Sequence, residues 1–375
     1  MNLSILIISI SLFTWGIGEG MFFIFQPFYL TELGANPVTI GLVLGAAGAV
    51  MTLVHAPAGY LSDKLGRKPM LVAAWSTGLL ATVLMALSTS ITTFVIGLLL
   101  YSFTAFVSSP LNSYVTSARG KWTVARALTV SSASFNLGMI VGPLLGGWIS
   151  QNYGLRSIYG IAAGIFVVST AIVWFIPSQP RDEHPAGALP VRDLLSNRPF
   201  LQLLAMGAFA IFAMTLPQQF TPKYLQDVHQ VTLEQIGLLG ALGGIGTTAL
   251  TFTLGGMAPR LGFLIGSISM AATTLLFWRA GTLPWFGLAY FLQGGFRAGR
   301  SLLVAQIRPL VNEANMGLAY GVTEMAWGFS TILAPIIAGL LYNQQPALMY
   351  PVAFAGILLT IWLFQAITPH KRHNP

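Results

Sequence analysis

Cysteine is absent from all 375 positions, so the chain has no disulfide and no thiol chemistry, and its redox compartment cannot be read. Charge is nearly as scarce: Lys, Arg, Asp and Glu make up 7% of the residues, against about 25% in soluble domains. That deficit excludes an ordinary soluble surface. Strand-like alternation over segments of about ten residues is missing, which excludes a membrane β-barrel. There is no phosphate loop and no nucleophile–base pair, and Gly-rich stretches such as 240–246 fall inside an apolar run. Five histidines and ten carboxylates are too sparse for a metal site. An enzyme is therefore not expected, and no cofactor or metal is called for. The formal net charge of +8 comes from cations scattered over short loops. It fits membrane topology better than nucleic acid or an acidic partner.

What remains is apolar. Hydrophobic residues make up 55% of the chain, and 40 glycines suit helices that pack closely in lipid. Each span needs about 20 residues, and twelve segments qualify: 4–30, 38–61, 69–88, 91–117, 124–150, 155–176, 199–221, 233–257, 262–279, 282–307, 315–341 and 347–368. The first is read as a retained helix, since it lacks the basic start and cleavage site of a signal peptide. The expected fold is an all-α membrane protein of 12 transmembrane helices. The long connection 177–198 is rich in proline and charge and reads as a linker between bundles at 1–176 and 199–375.

Orientation follows from the turn around residues 59–71. Asp63, Lys64, Arg67 and Lys68 fall within six positions between two apolar runs. They belong at a membrane surface, on the cytoplasmic side. Alternation then puts both termini in the cytoplasm. Only Arg156, Lys223 and Arg279 among the 18 cations reach the outer side, while Arg297 and Arg300 lie within a span. The halves also echo each other. Gly59 to Arg67 is matched loosely by Gly255 to Gly262, and Gly142-Pro143 by Ala334-Pro335. A duplicated six-helix unit is a pattern of alternating-access transporters.

These residues resemble the major facilitator superfamily. Its pattern Gly-x-Leu-x-Asp-(Arg/Lys)-x-Gly-Arg-(Arg/Lys) after the second span is filled by Gly59, Leu61, Asp63, Lys64, Gly66, Arg67 and Lys68. Its fifth-span pattern Gly-x-x-x-Gly-Pro-x-x-Gly-Gly is filled by Gly138, Gly142, Pro143, Gly146 and Gly147. The resemblance implies two pseudo-symmetric six-helix bundles and alternating access. The fifth-span pattern implies the 12-helix drug:proton antiporter type. It also implies that Asp63 caps the helix near Asn315 to Gly317 as a gate. Arg67 and Lys68 would meet acidic or phosphate groups, unless the turn simply rests on anionic lipid. The family's fourth-span arginine is missing here, where Tyr101-Ser102-Phe103-Thr104 stand instead. The second copy of the turn has no aspartate, so the latch is expected to be one-sided.

The chemistry-bearing candidates are few. Glu19 lies mid-way along the first span with no other charge within ten residues. An isolated carboxylate there is costly when ionised and suits a group that carries a proton. Trp15, Phe22, Phe23 and Gln26 share its helical face and are expected to line a substrate cavity for a cationic or amphiphilic molecule. Alternatively Glu19 is a structural acid making one interhelical hydrogen bond. Arg297 is roughly 22 Å deep at 1.5 Å per residue, where Glu324 can pair with it as a coupling element or a static ion pair. Arg300, closer to the surface, is grouped with the cavity as a contact for an anionic cargo. His55 is a weaker proton-coupling candidate. Tyr101, Gln218 with Gln219, Tyr290 and Gln293 are further cavity candidates, with Asn112 and Asn136 behind them. Gly138, Gly142, Pro143, Gly146 and Gly147 strip a helix face for close packing and are expected to hinge there.

Two functions stay open. One is proton-coupled export of small amphiphilic or drug-like molecules. The other is a facilitator or symporter for a metabolite, sugar, lipid or organic anion. A non-transporting sensor lacks an output domain. The expected partners are a small-molecule substrate, protons and the bilayer of a plasma (inner) membrane, with the protein acting as a monomer and binding no nucleic acid.

Overall fold

The computed structural model describes residues 3–179, 196–311 and 316–367, apart from the side chains of 56–63, 317 and 367. Among the described residues the chain is helical and without strands. The first half comprises α1 (Leu3–Phe23), α2 (Gln26–Glu32), α3 (Pro37–Leu65), α4 (Arg67–Leu87), α5 (Ile91–Phe103), α6 (Ser108–Ala118), α7 (Val124–Tyr153) and α8 (Leu155–Trp174). The second comprises α9 (Arg198–Thr215), α10 (Thr221–His229), α11 (Leu233–Gly255), α12 (Pro259–Arg279), α13 (Leu283–Gln293), α14 (Gly295–Ala305), α15 (Met316–Gln344) and α16 (Met349–Ile367).

Eleven of the expected spans are long and apolar enough to cross a membrane as described. The tenth, 282–307, is present but broken into α13 and α14 at Gly294. Two contacts account for the break. Gly294 presses on the backbone of Gly246 and Thr247, where a Cβ would not fit. The Leu292 carbonyl accepts the Ser269 hydroxyl at 2.7 Å, which satisfies a backbone group in an apolar setting. The fourth span breaks at the matching place, between α5 and α6. There Pro110 has no N–H to give the carbonyl four residues back, and the Thr104 hydroxyl donates to the Tyr101 carbonyl at 2.6 Å.

The repeat read from scattered motifs therefore extends to local structure. Leu3 and Arg198 open α1 and α9, 195 residues apart; Gln26 and Thr221 open α2 and α10, again 195 apart; Ile91 and Leu283 open α5 and α13, 192 apart. By internal contacts the chain falls into two units. One holds the helices of the first half together with Pro222–Gly244; the other holds α9 and the helices from Ile245 onward.

In the first unit α1 packs closely along α7 and α8. Gly16 and Gly20 face Gly138 and Gly142, and a Cβ on Gly142 would lie 2.7 Å from the Gly20 Cα. Backbones approach because neither side carries a side chain. Gly146 meets Met21, and Gly147 meets Gly237 of α11, where a Cβ would lie 3.0 Å from the Gly237 Cα. The predicted fifth-span glycines thus form a packing face on two sides, and α7 stays continuous through Pro143. The second unit is built around Phe200, Leu203, Met206, Phe263, Leu302 and Trp327. Large apolar side chains stay exposed in both units, Phe252 at 88% and Trp362 at 63% among them. Such exposure is stable only against lipid.

Candidate functional site

Trp15 and Glu19 are four residues apart on α1, hence on one face. The Trp15 indole Nε1–H donates to Glu19 Oε2 at 3.2 Å. Across the bundle, the Tyr101 hydroxyl on α5 donates to the same oxygen at 2.9 Å. The carboxylate is half-buried.

Aromatic packing holds both donors. Trp15 lies flat on Phe166 of α8, with centroids 4.1 Å apart and planes 9° apart. Tyr101 lies nearly parallel to Phe166 at 6.1 Å and packs T-shaped against Phe22 at 5.1 Å. Two glycines make room. A Cβ on Gly18 would run into the Phe166 ring, and one on Gly78 would lie 2.7 Å from Trp15 Cζ2. Behind the stack, Trp75 tilts against Trp15 at 5.2 Å and donates Nε1–H to Ser169 Oγ at 2.9 Å. Ser169 and Ser11 exchange hydroxyl contacts, Oγ to Oγ at 2.9 Å and Ser169 Oγ to the Ser11 carbonyl at 2.8 Å. Trp75, Phe166, Ser169 and Ser11 were not singled out from the sequence. The available signal was Trp75 itself, since a buried indole N–H needs an acceptor.

This arrangement alters the expected cavity wall. Phe22 is 0% exposed and Trp15 8%, so both line the bundle interior and support Glu19. The reason is that Gly18 opens the α1 face toward α8, and the aromatic rings fill it. Gln26 is buried at 4% and Phe23 is exposed at 40%. Tyr290 is buried, and its hydroxyl has no hydrogen-bond partner. Gln293, one turn on, and Gln219 are half-buried. Gln218 is half-buried too and donates to the carbonyl of Met214 at 3.1 Å. Asn112 is exposed and Asn136 half-buried.

In the second unit Glu324 is bonded to Arg300 Nη2, the arginine grouped with the cavity. The Arg300 guanidinium also lies 6.0 Å from the ring of Trp327. Glu324 and Trp327 are three residues apart on α15, so one helix face presents both groups to Arg300. Arg297, one turn earlier on α14, is exposed, and its carbonyl accepts the Ser301 hydroxyl at 3.1 Å. His55 is exposed and bonds back to the Met51 carbonyl on its own helix.

Of the predicted gate, Gly59, Asp63, Asn315 and Gly317 lie outside the described residues, as does 180–195 of the linker. Gly66 caps α4 at φ 91°, a conformation that favours glycine. Arg67 donates to the Ser117 hydroxyl and to Gln179 Oε1 at 3.0 Å, tying α4 to the end of α6. Lys68 is half-buried.

One polar cluster lies outside the spans, on α10. Lys223 pairs with Asp227 at 3.0 Å, and His229 Nε2 lies 3.3 Å from the Tyr224 hydroxyl. Burial pushes His229 below its ordinary value and Tyr224 above its own. The groove between α9 and α16 is lined by Phe209, Phe212, Leu216, Val352 and Leu359 among other apolar residues. It lacks the convergent polar groups that orient a solute. Among the described residues no group of His, Asp and Glu could hold a metal ion.

Known proteins resemble this chain in fold and in sequence. The nucleoside transporter NupG superposes with a TM-score of 0.82 at 16% identity, covering 99% of this chain and 100% of that one. The tetracycline resistance protein, class H, of Pasteurella multocida is 25% identical, covering 99% of this chain and 98% of the relative. Multidrug resistance protein 2 of Bacillus subtilis (strain 168) is 22% identical, covering 97% and 94%. The family model for the Major Facilitator Superfamily matches residues 8–263. The chain belongs to the Major Facilitator Superfamily and is one of its multi-pass membrane transporters.

Proposed function

We propose that this transporter exports small amphiphilic or drug-like molecules by alternating access, with protons flowing the other way and Glu19 as the group that takes them up and releases them. The carrying observation is the Glu19 carboxylate inside a membrane helix, gripped at one oxygen by Trp15 from its own helix and Tyr101 from another. A carboxyl group there is expensive to keep charged, and it is pre-oriented by its donors. The names of two relatives, a tetracycline resistance protein and a multidrug resistance protein, support export. The reading includes a monomer in the inner membrane with both termini in the cytoplasm, bundles at 1–176 and 199–375, and a gate at Asp63. In it α7 hinges near Pro143, and Glu324 with Arg300 and Arg297 forms a second coupling element.

The test is uptake into proteoliposomes under an imposed pH gradient, with a panel of cationic, neutral and anionic compounds. The expected result is gradient-driven movement of lipophilic cations that Glu19→Gln abolishes, while substrate exchange without a gradient survives. Full gradient-driven activity in Glu19→Gln would remove Glu19 from the mechanism.

A second reading, a facilitator or symporter for a polar metabolite, draws on Tyr290. Its buried hydroxyl lacks a partner, and Gln293 stands one turn away. Both could meet a neutral polar solute. A metabolite carrier would leave accumulation of lipophilic cations unchanged.

A further inference from the structure

Glu19 as the proton site leaves open what sets its readiness to bind a proton. We propose that Tyr101 is a positioning residue for Glu19, forming with Trp15 a two-donor clamp on Oε2 that favours the ionised acid and fixes its orientation. The inference rests on the reading of Glu19 above.

Both donors reach the same oxygen, at 2.9 Å from Tyr101 and 3.2 Å from Trp15. An indole N–H can only donate, and a phenol donates to a carboxylate without cost. Hydrogen bonds to an ionised acceptor are roughly twice as strong as neutral ones. Both contacts therefore weaken when Glu19 is protonated, and both oppose proton binding. Burial acts the other way, because it penalises the charge. The working pH of Glu19 depends on both effects.

The clamp is rigid. Tyr101 is 8% exposed, lies nearly parallel to both Trp15 and Phe166 at 6.1 Å and packs T-shaped against Phe22. It cannot swing away without breaking the stack. The other titratable groups on the elements packed against α1 sit on α8, α7 and α6. On α8, Tyr159 stacks on Phe22 at 5.5 Å with its buried hydroxyl unpartnered, and Arg156 at the helix start donates to the Ala86 carbonyl. On α7, Arg126 covers Trp122 and Tyr153 meets Trp148, at opposite ends of the helix. On α6, Tyr114 donates to the Pro177 carbonyl.

The experiment is infrared difference spectroscopy of the purified full chain in lipid nanodiscs, following the carboxylic acid carbonyl band with pH and subtracting Glu19→Gln. Tyr101→Phe loses only the hydroxyl, and Trp15→Phe keeps a ring on Phe166 while losing the N–H. Each is expected to move the half-protonation midpoint of the Glu19 band upward by about one pH unit, a roughly tenfold gain in proton affinity. A residue that merely filled space would leave the midpoint in place. Midpoints unchanged or lowered in both variants would overturn the clamp while leaving Glu19 as the proton site. A wild-type chain with no Glu19-dependent band at any pH would overturn both.

Discussion

Trp15 lies face to face with Phe166, its ring centroid 4.1 Å away. The pair fits only because Gly78 receives the rim of the indole and Gly18 receives the Phe166 ring. Overpacking a tight core typically costs about 1–3 kcal/mol. Gly18→Ala and Gly78→Ala are each expected to lower the melting temperature in detergent and to displace the Trp15 donor from Glu19. Thermal unfolding followed by size-exclusion recovery checks this. Wild-type stability in both variants would mean that the stack has slack that the geometry denies.

The Ser11–Ser169 pair separates two costs. Ser169 accepts the Trp75 indole N–H, while Ser11 contacts only Ser169 in this cluster. Ser169→Ala strands a buried donor, at about 1–3 kcal/mol. Ser11→Ala leaves Ser169 in place and should cost about 0.6 kcal/mol, an average interhelical hydrogen bond in membranes. The prediction is the order, with Ser169→Ala the less stable, read from unfolding in mixed micelles. The reverse order would refute it.

Glycines in this chain are not equivalent. A Cβ on Gly138 would strike the Phe13 carbonyl and lie 2.7 Å from the Ile17 nitrogen, whereas one on Gly164 would meet nothing within 4 Å. Gly138→Ala should therefore separate α1 from α7 and lower folded yield severalfold. Gly164→Ala should be neutral or slightly stabilising, since it removes backbone freedom from a helix. Equal yields from the two variants would argue against close α1–α7 contact.

These cases show what was legible beforehand. Hydropathy located the spans because the bilayer imposes one length and one polarity on each, and eleven of the twelve stand as long apolar helices. It did not locate the break at Gly294, which depends on a tertiary contact with Gly246 and on the Ser269 hydroxyl. Glu19 stood out as an isolated charge, but its surroundings did not. Helical spacing put Phe22 on the Glu19 face, yet spacing cannot say whether a face meets a cavity or a neighbouring helix. Gly18 decided that. Depth alone likewise allows Arg297 to pair with Glu324 but does not select the bond to Arg300, which depends on which face of α14 turns to α15.

Acid should loosen α10. Burial holds His229 below its ordinary value, so the unfolded chain binds the proton more readily than the folded one. Stability is then full above the unfolded value, about pH 6.5, and is lost as pH falls through the lower folded value. The position of His229 in the last turn of α10 favours the charged form, and desolvation outweighs it. Melting temperatures at pH 7.5 and pH 5 are expected to differ less in His229→Asn than in the wild type. An unchanged difference would place the acid sensitivity elsewhere.

Arg300 and Glu324 test whether a bonded pair is there for stability. Their side chains are 41% and 55% exposed; where that exposure is to a water-filled cavity, such a pair contributes about 0–1 kcal/mol. Stability alone would not favour keeping this pair, which also sets Arg300 near Trp327. Glu324→Gln should consequently move the melting temperature little. If the pair breaks and re-forms during transport, as proposed, the same change should lower gradient-driven uptake at least tenfold while equilibrium exchange persists. Arg300→Lys keeps the charge but loses the planar fork, and should give an intermediate uptake. A Glu324→Gln protein with normal uptake and a markedly lower melting temperature would reverse the assignment, leaving a structural ion pair with no part in coupling.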